Sequence, residues 1–390
     1  MSHKYEIVKL GDLGTVVGGA TPSTKDPGNW NGDIPWLSPK DLTDYKDRYI
    51  SKGERNITQK GYDSCSTKML PKNSILFSSR APIGYIAIAN CDLCTNQGFK
   101  SIIPNENTDP LYLYYLLKYN KDNIANKGSG TTFSEVSGKV MQECEVNAIS
   151  DLDTQKRVAN ILDSFDKKIE LNTRINSHLE DLIMSVNKQF LQGSNLSECV
   201  ASDVFDIFIG KTPPRKESDW FSFNKAGNVV WISIKDMGTS DAYLYDSSEY
   251  LTSEAVEKFN IKNALPGSIL LSFKLTIGRV KIVTFPMTTN EAIACFSSED
   301  ARKLAWIYPI LKTYNYERLG STSSIAKAVN SKIIKAMPLL MPTDDILDEY
   351  YKRVKSLYEL LKNNTKENIA LTELRDTILP KLMSGKIEIQ

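Results

Sequence analysis

The residues of this chain whose types suit catalysis are few, and each set lacks part of the pattern its chemistry needs. Gly210-Lys211-Thr212 has the look of the end of a phosphate-binding loop, in which backbone N–H groups and a lysine cradle a polyphosphate. The earlier glycine is missing, because Phe205 stands there, and Pro213-Pro214 removes two backbone donors. Asp33-Ile34-Pro35-Trp36 is one residue away from an Asp-Pro-Pro-Trp motif, which holds an adenine amino group for methyl transfer. No glycine-rich cofactor loop precedes it. Cys91-x-x-Cys94 lacks a second ligand pair at metal spacing. The histidines, His3 and His178, fall at a terminus and in a helical stretch, so general-base and triad chemistry loses its usual player. Ser164-x-x-Lys167 lies on the charged face of the same helical stretch. No catalytic residue and no metal site is assigned to this chain.

Binding chemistry is better represented, because the chain repeats itself about half its length later. Ile34-Pro35-Trp36-Leu37-Ser38-Pro39-Lys40-Asp41-Leu42 returns as Val229-Val230-Trp231-Ile232-Ser233-Ile234-Lys235-Asp236-Met237. Gly19 to Pro22 returns as Gly210 to Pro213, and Thr95-Asn96-Gln97 as Thr289-Asn290-Glu291. The polar positions kept in both copies are Lys40 with Lys235, Arg80 with Lys274, Asn96 with Asn290, and Gln97 with Glu291. Two Gly- and hydroxyl-rich loops supply Thr131 and Thr132 in one copy and Ser323 and Ser324 in the other, and Arg279 follows the second turn. Cations and hydroxyls suit phosphate oxygens, whereas Asn, Gln and Glu suit base edges. The structural alternative is that Asn96 and Asn290 close turns and that Lys40-Asp41 is a surface ion pair of little energetic weight.

Positioning these residues requires strands, turns and long helices. Residues 74–79 and 84–89 read as strands around a turn at Ala81-Pro82, and residues 268–273 and 278–283 are their counterparts. Helical pieces occur near 110–117 and 303–308 without regular strand–helix alternation, so the class expected is α+β. Long helices are expected near 154–191 and 345–379, with Pro380 ending or kinking the second. Their 3-4 spacing runs Val158, Leu162, Phe165, Ile169, Asn172, Asn176, Leu179, Ile183, Val186, Phe190, and Tyr350, Val354, Leu357, Leu361, Asn364, Asn368, Leu371, Arg375, Ile378, Leu382. In an antiparallel coiled coil, Asn172 and Asn176 would meet Asn364 and Asn368 at the midpoint and fix its register. A helix of 38 residues spans about 55 Å. The expected division is 1–150, a globular domain; 151–193, helical; 194–343, a second globular domain; and 344–390, helical. The whole is an internal pseudo-two-fold repeat, two similar domains separated by two long antiparallel helices.

Bulk composition narrows the partners. Residues 1–150 carry 17 basic and 16 acidic side chains, and residues 194–343 carry 17 and 15. A domain that grips DNA alone usually has a basic excess, so a nucleic-acid surface here must be local or be completed by a partner. No segment suits a bilayer span or a signal peptide, and six unclustered cysteines read as intracellular thiols. A cytoplasmic location is expected.

The ordered, doubled pattern resembles the specificity subunit of Type I restriction–modification systems. Gly19-Ala20-Thr21-Pro22, Ile34-Pro35-Trp36-Leu37, Leu70-Pro71 with Ser74-Ile75-Leu76, Arg80-x-x-Ile83-Gly84 and Thr95-Asn96-Gln97-Gly98 carry it, with their later counterparts and the two helices. The resemblance implies two target-recognition domains that each read half of a bipartite double-stranded DNA target, and helices that set the spacer. It implies two methyltransferase subunits bringing S-adenosylmethionine, restriction and translocase subunits bringing an ATP/Mg site, and no cofactor on this chain. The departure of Gln97-Gly98-Phe99 to Glu291-Ala292-Ile293 prevents base-reading roles from being carried between halves. The competing expectations are a duplicated coiled-coil scaffold or adaptor without DNA recognition, and a DNA-modifying enzyme acting alone.

Overall fold

The two stretches of apolar 3-4 spacing form helices Leu152–Gly193 and Asp344–Met383 in a computed structural model that describes residues 5–45, 47–80, 82–129, 134–193, 195–319 and 329–387. The chain packs as two units, Met1–Glu170 with Ala370–Gln390, and Leu171–Ile369. The packing therefore divides within the long helices, not at their ends.

In the first unit, alternating apolar runs build an antiparallel five-stranded sheet in the order Gly14–Gly18, Lys100–Pro104, Ile75–Ser79, Ile83–Ala89, Tyr49–Ile50, with only the last pair parallel. A smaller sheet places Trp30–Leu37 between Arg55–Ile57 and Cys94–Thr95. Helix Pro110–Tyr119 opens with the Asp109 carboxylate accepting from the Tyr112 N–H and packs its tyrosines and leucines under the larger sheet. Strand Tyr5–Lys9 pairs with Glu145–Ile149, so the beginning and end of the domain are joined by backbone hydrogen bonds.

The second unit repeats this plan. Its five-stranded sheet runs Asp206–Ile209, Ile293–Ser297, Ile269–Ser272, Val280–Val283, Tyr243–Leu244, and its smaller sheet includes Val229–Ile232 and Thr288–Thr289. Helix Ala301–Thr313 takes the place of Pro110–Tyr119, and Leu196–Val200 pairs with Pro338–Pro342 as the closing ribbon. The expected hairpins, helical pieces and repeat are all present, and the class is α+β.

The long helices differ from the expected seam in three ways. Pro380 lies within the final turns of its helix, which continues to Met383. A proline this close to the end forfeits its own N–H, while its carbonyl still accepts from Ser384 at 3.0 Å. Second, the buried stripe serves each domain as well as the opposite helix: Val158 and Leu162 join the first core, and Ile183, Tyr350 and Val354 join the second. Third, two carboxylates outside the apolar stripe, Asp163 and Asp166, are buried as well, while Ser164 and Lys167 lie exposed on the charged face expected of them. Arg48, itself 4% exposed, bonds Asp163 and bonds Glu170 at 2.8 Å, while Arg375 bonds Asp166 at 2.5 Å. Tyr115 donates to Asp166 at 2.6 Å. Burial opposes the charge on Arg48, but its hydrogen bonds to Glu170 and Asp163 outweigh that and raise its pKa. Burial, then Asp166, raises the Tyr115 hydroxyl as well.

In the second unit, residues 171–193 run antiparallel to residues 344–369. Asn172 Nδ2 donates to Asn368 Oδ1 at 3.0 Å and to Glu367 at 2.7 Å, and Asn364 Nδ2 donates to Asn176 Oδ1 at 2.9 Å. Thr365 and Thr173 accept the remaining amides of Asn176 and Asn368. The four asparagines are thus brought together in the paired order expected, each with polar partners.

Removing Arg48 takes away the one buried cation against the buried Asp163 carboxylate, whose other partner is the exposed Lys167 ammonium at 2.6 Å. Arg48→Met is expected to destabilise the first unit by about 3–5 kcal/mol in urea denaturation, and an unchanged unfolding midpoint would contradict the burial of this network.

Candidate nucleic-acid interface

Four loops of the first unit come together at one end of its sheets, and backbone geometry explains why. The Ala20 peptide is held on both sides: its N–H donates to Thr95 O at 3.0 Å and its carbonyl accepts from the Trp36 indole N–H at 3.0 Å. In the second unit Lys211 does the same, with Thr289 O at 2.9 Å and Trp231 Nε1 at 3.1 Å. A Cβ at Gly19 would collide with the Thr95 and Asn96 carbonyls, and one at Gly210 with those of Thr289 and Asn290. The glycines permit this approach and the tryptophans secure it. Tryptophan and Gly-x-Thr-Pro are thus parts of one lock, not remnants of a catalytic motif.

The third loop carries Lys40 and Lys235. Ser38 and Asp41 form a capping box, with Asp41 Oδ2 accepting from the Ser38 N–H at 2.7 Å and Oδ1 from Glu54 N–H at 2.7 Å. Asp236 repeats this on Ser233 and Ser248, each at 2.8 Å. Asp41 is therefore a backbone staple and not the ion-pair partner of Lys40, whose ammonium lies 2.9 Å from Glu54. The fourth loop is a hairpin tip clasped by a serine. Ser78 Oγ donates to Pro82 O at 2.8 Å and accepts from Tyr85 N–H at 2.7 Å; Ser272 Oγ donates to Thr276 O at 2.6 Å and accepts from Arg279 N–H at 3.0 Å. Gly84 and Gly278 supply φ of +94° and +90° after these tips, a region closed to most side chains. Backbone bonds from Ser79 to Gly98 and from Phe273 to Ala292 join the tips to the Thr-Asn-Gln and Thr-Asn-Glu loops.

The expected contact residues are distributed over these loops as follows. Asn96 and Asn290 turn their carboxamide oxygens onto the N–H groups of Gly98 (2.8 Å) and Ala292 (3.1 Å), closing their own turns. Gln97 accepts from the Thr21 hydroxyl at 2.5 Å, and Glu291 accepts from Thr212. Thr21 and Thr212 were not singled out from sequence, although both lie inside the repeated Gly-x-Thr-Pro. Arg80 lies 3.5 Å from Glu135, which Lys100 also approaches at 3.3 Å. Lys235 and Lys274 are exposed and have no ion-pair partner among the described residues. Arg279 Nη1 donates to the Ile234 carbonyl at 2.6 Å, so it holds the Lys235 loop in place. Thr131, Thr132, Ser323 and Ser324 lie outside the described residues.

The electrostatics differ between units. In the first, Glu54 and Glu135 pair with the cations of the face, and the hydrogen bond that exposed Lys40 donates to Glu54 raises the lysine's pKa. In the second, Arg215 bonds Glu249 at 2.7 Å and stacks 4.1 Å from the Phe221 ring and 4.8 Å from that of Trp231. No cluster of three or more His, Cys, Asp and Glu capable of holding a metal occurs among the described residues, and no described helix is long and apolar enough to cross a membrane. Such an arrangement offers hydroxyls, cations and one carboxamide or carboxylate on a hydrogen-bonded frame, which is the chemistry of polar recognition.

Comparison with known proteins places this duplicated frame. The family model described as the Type I restriction modification DNA specificity domain matches residues 2–181 and again 199–373. The Type I restriction enzyme MjaIX specificity subunit of Methanocaldococcus jannaschii is 32% identical, over 99% of this chain and 94% of its own length. The HindI specificity subunit of Haemophilus influenzae is 25% identical, over 82% of this chain and 88% of its own. Among solved structures, the S subunit of a Type I restriction-modification system from M. genitalium shares the fold with a TM-score of 0.57 at 17% identity, covering 99% of this chain and 97% of that one.

The lock makes a direct prediction. Gly210→Ala is expected to destabilise the second unit by about 1–3 kcal/mol and to expose the Lys211 amide to hydrogen exchange. Retained protection of that amide would contradict the close approach.

Proposed function

The chain belongs to the Type I restriction–modification DNA specificity family, and from that membership we propose that each of its units reads one element of an asymmetric, bipartite DNA target. As a specificity subunit it recognises DNA sequence and is not the catalyst. The observation that carries the bipartite reading is one loop frame built twice with different reading groups. The Trp–Gly lock, the Ser–Asp box and the serine-clasped hairpin are the same in both units, while Gln97 becomes Glu291 and Arg80 becomes Lys274. A carboxamide can both donate to and accept from a base edge, whereas a carboxylate only accepts, as from a cytosine amino group. Similar frames bearing unlike groups read unlike bases.

Lys40, Lys235, Lys274 and the hydroxyl-rich loops hold phosphates and set the orientation of each unit on the duplex. The long helices set the unread spacer, with Asn172, Asn176, Asn364 and Asn368 fixing their register. Two methyltransferase subunits dock on the chain and supply S-adenosylmethionine and methyl transfer, and restriction and translocase subunits bring ATP with Mg. The near balance of charge in each globular half supports this division, since a surface short of cations needs partners to close around DNA. The complex acts in the cytoplasm, where its DNA lies.

Modularity provides the test. Exchanging residues 1–150 for the corresponding part of another specificity subunit should change one half of the methylated sequence and leave the other half intact. Altered reading at both halves, or at neither, would refute independent reading.

A further inference from the structure

The hairpin tip of the second unit carries an apolar side chain for which the fold has no use. Leu275, between strands Ile269–Ser272 and Val280–Val283, is 96% exposed. Its φ is +62°, in the left-handed region that leucine enters only against steric resistance. Exposure and backbone conformation both disfavour this residue in the folded chain. The tip is nonetheless firmly based: the Ser272 clasp ties it from within, Gly278 N–H donates to Ser272 O at 3.0 Å, and Phe273 N–H donates to Ala292 O at 2.9 Å. That last bond sets the tip beside Glu291. Lys274 precedes Leu275 with its ammonium 5.6 Å from the Phe273 ring, and Ile277 is 36% exposed just behind. The first unit has the same clasp, but its tip sequence is Arg80-Ala81-Pro82, so the projecting leucine belongs to one half of the repeat.

We infer that Leu275 is an apolar wedge that enters the DNA element read by the second unit at a base step beside Glu291, with Lys274 on a neighbouring phosphate. The inference rests on the DNA-reading function proposed above and adds a mode of contact to it. An aliphatic side chain held out on a rigid hairpin can enter between stacked bases and kink the duplex. Pyrimidine–purine steps unstack most readily, so the wedge selects for a TA or CA/TG step without a hydrogen bond to either base.

The test uses the full chain assembled with its methyltransferase subunits and a duplex containing its methylated sequence. 2-Aminopurine is placed at successive positions of the second element, avoiding the adenine that is methylated. The wild-type complex should raise the fluorescence at one step, and Leu275→Ala should abolish that rise and weaken specific binding by about 10-fold. Leu275→Met should retain both. Leu275→Gly should melt no lower than wild type while binding as poorly as Leu275→Ala, a combination that a purely structural leucine would not give. Unchanged fluorescence and affinity in Leu275→Ala, with the wild type binding specifically, would overturn the wedge alone. A wild-type complex that binds no particular sequence would overturn the DNA-reading function, and the wedge with it.

Discussion

The indole N–H of Trp36, and of Trp231 in the second unit, donates to a loop carbonyl, and the rest of each recognition face depends on that bond. It fixes the peptide of Ala20 or Lys211, whose N–H is already committed to the Thr95 or Thr289 carbonyl. With both ends of that peptide held, Thr21 and Thr212 can reach Gln97 and Glu291, and the Thr-Asn-Gln loop is fixed against the hairpin tip. A single buried hydrogen bond contributes only about 1 kcal/mol net. Its importance here is positional, because base edges are told apart by donors and acceptors separated by a few ångströms. A frame that moved would read nothing.

Duplication then lets one frame serve two sequences. The lock residues lie in the core or in backbone-bonded turns, where a change disrupts packing. The residues that differ between copies, Gln97 and Glu291 or Arg80 and Lys274, lie at the loop surface, where a change alters chemistry and leaves the frame intact. The interior differs as well. The first unit holds buried Arg48 and half-buried Arg375 against Asp163, Asp166, Glu170 and Tyr115, whereas Ala242 precedes Tyr243 in the second unit as Arg48 precedes Tyr49 in the first. Tyr358 and Tyr308 pack there, ring centroids 5.9 Å apart. The first unit joins its helix to its domain through the Arg48 and Arg375 ion pairs, and the second adds aromatic rings to pairs such as Lys312 with Glu180 and Arg302 with Asp348.

Much of this was legible in the sequence because the repeat supplied an internal check. Alternating runs such as Ile83–Ala89 and 3-4 spaced runs such as Val158 and Leu162 mark strands and helices by period alone. The asparagine pairs, expected to meet, lie within hydrogen-bonding distance of one another. Long-range partners were not legible. Asp41 stands next to Lys40 in sequence yet staples backbone, while Glu54 takes the lysine. Nothing in the spacing of Asp163 and Asp166 marks them as buried, because their partners Arg48 and Arg375 come from distant parts of the chain. Asn96 and Asn290 had two readings from sequence, and each has its carboxamide oxygen on its own turn. Leu275 gave no signal, because an isolated leucine in a turn is ordinary until its φ and exposure are known.

Methylome sequencing of a host with and without the gene, the partner methyltransferase being present in both strains, tests most directly whether this chain gives a methyltransferase its sequence. A gapped adenine-methylation motif, two short elements around an unread spacer, is expected only when this chain is made. The same methylation in both strains, with the protein expressed and bound to the methyltransferase, would contradict the account.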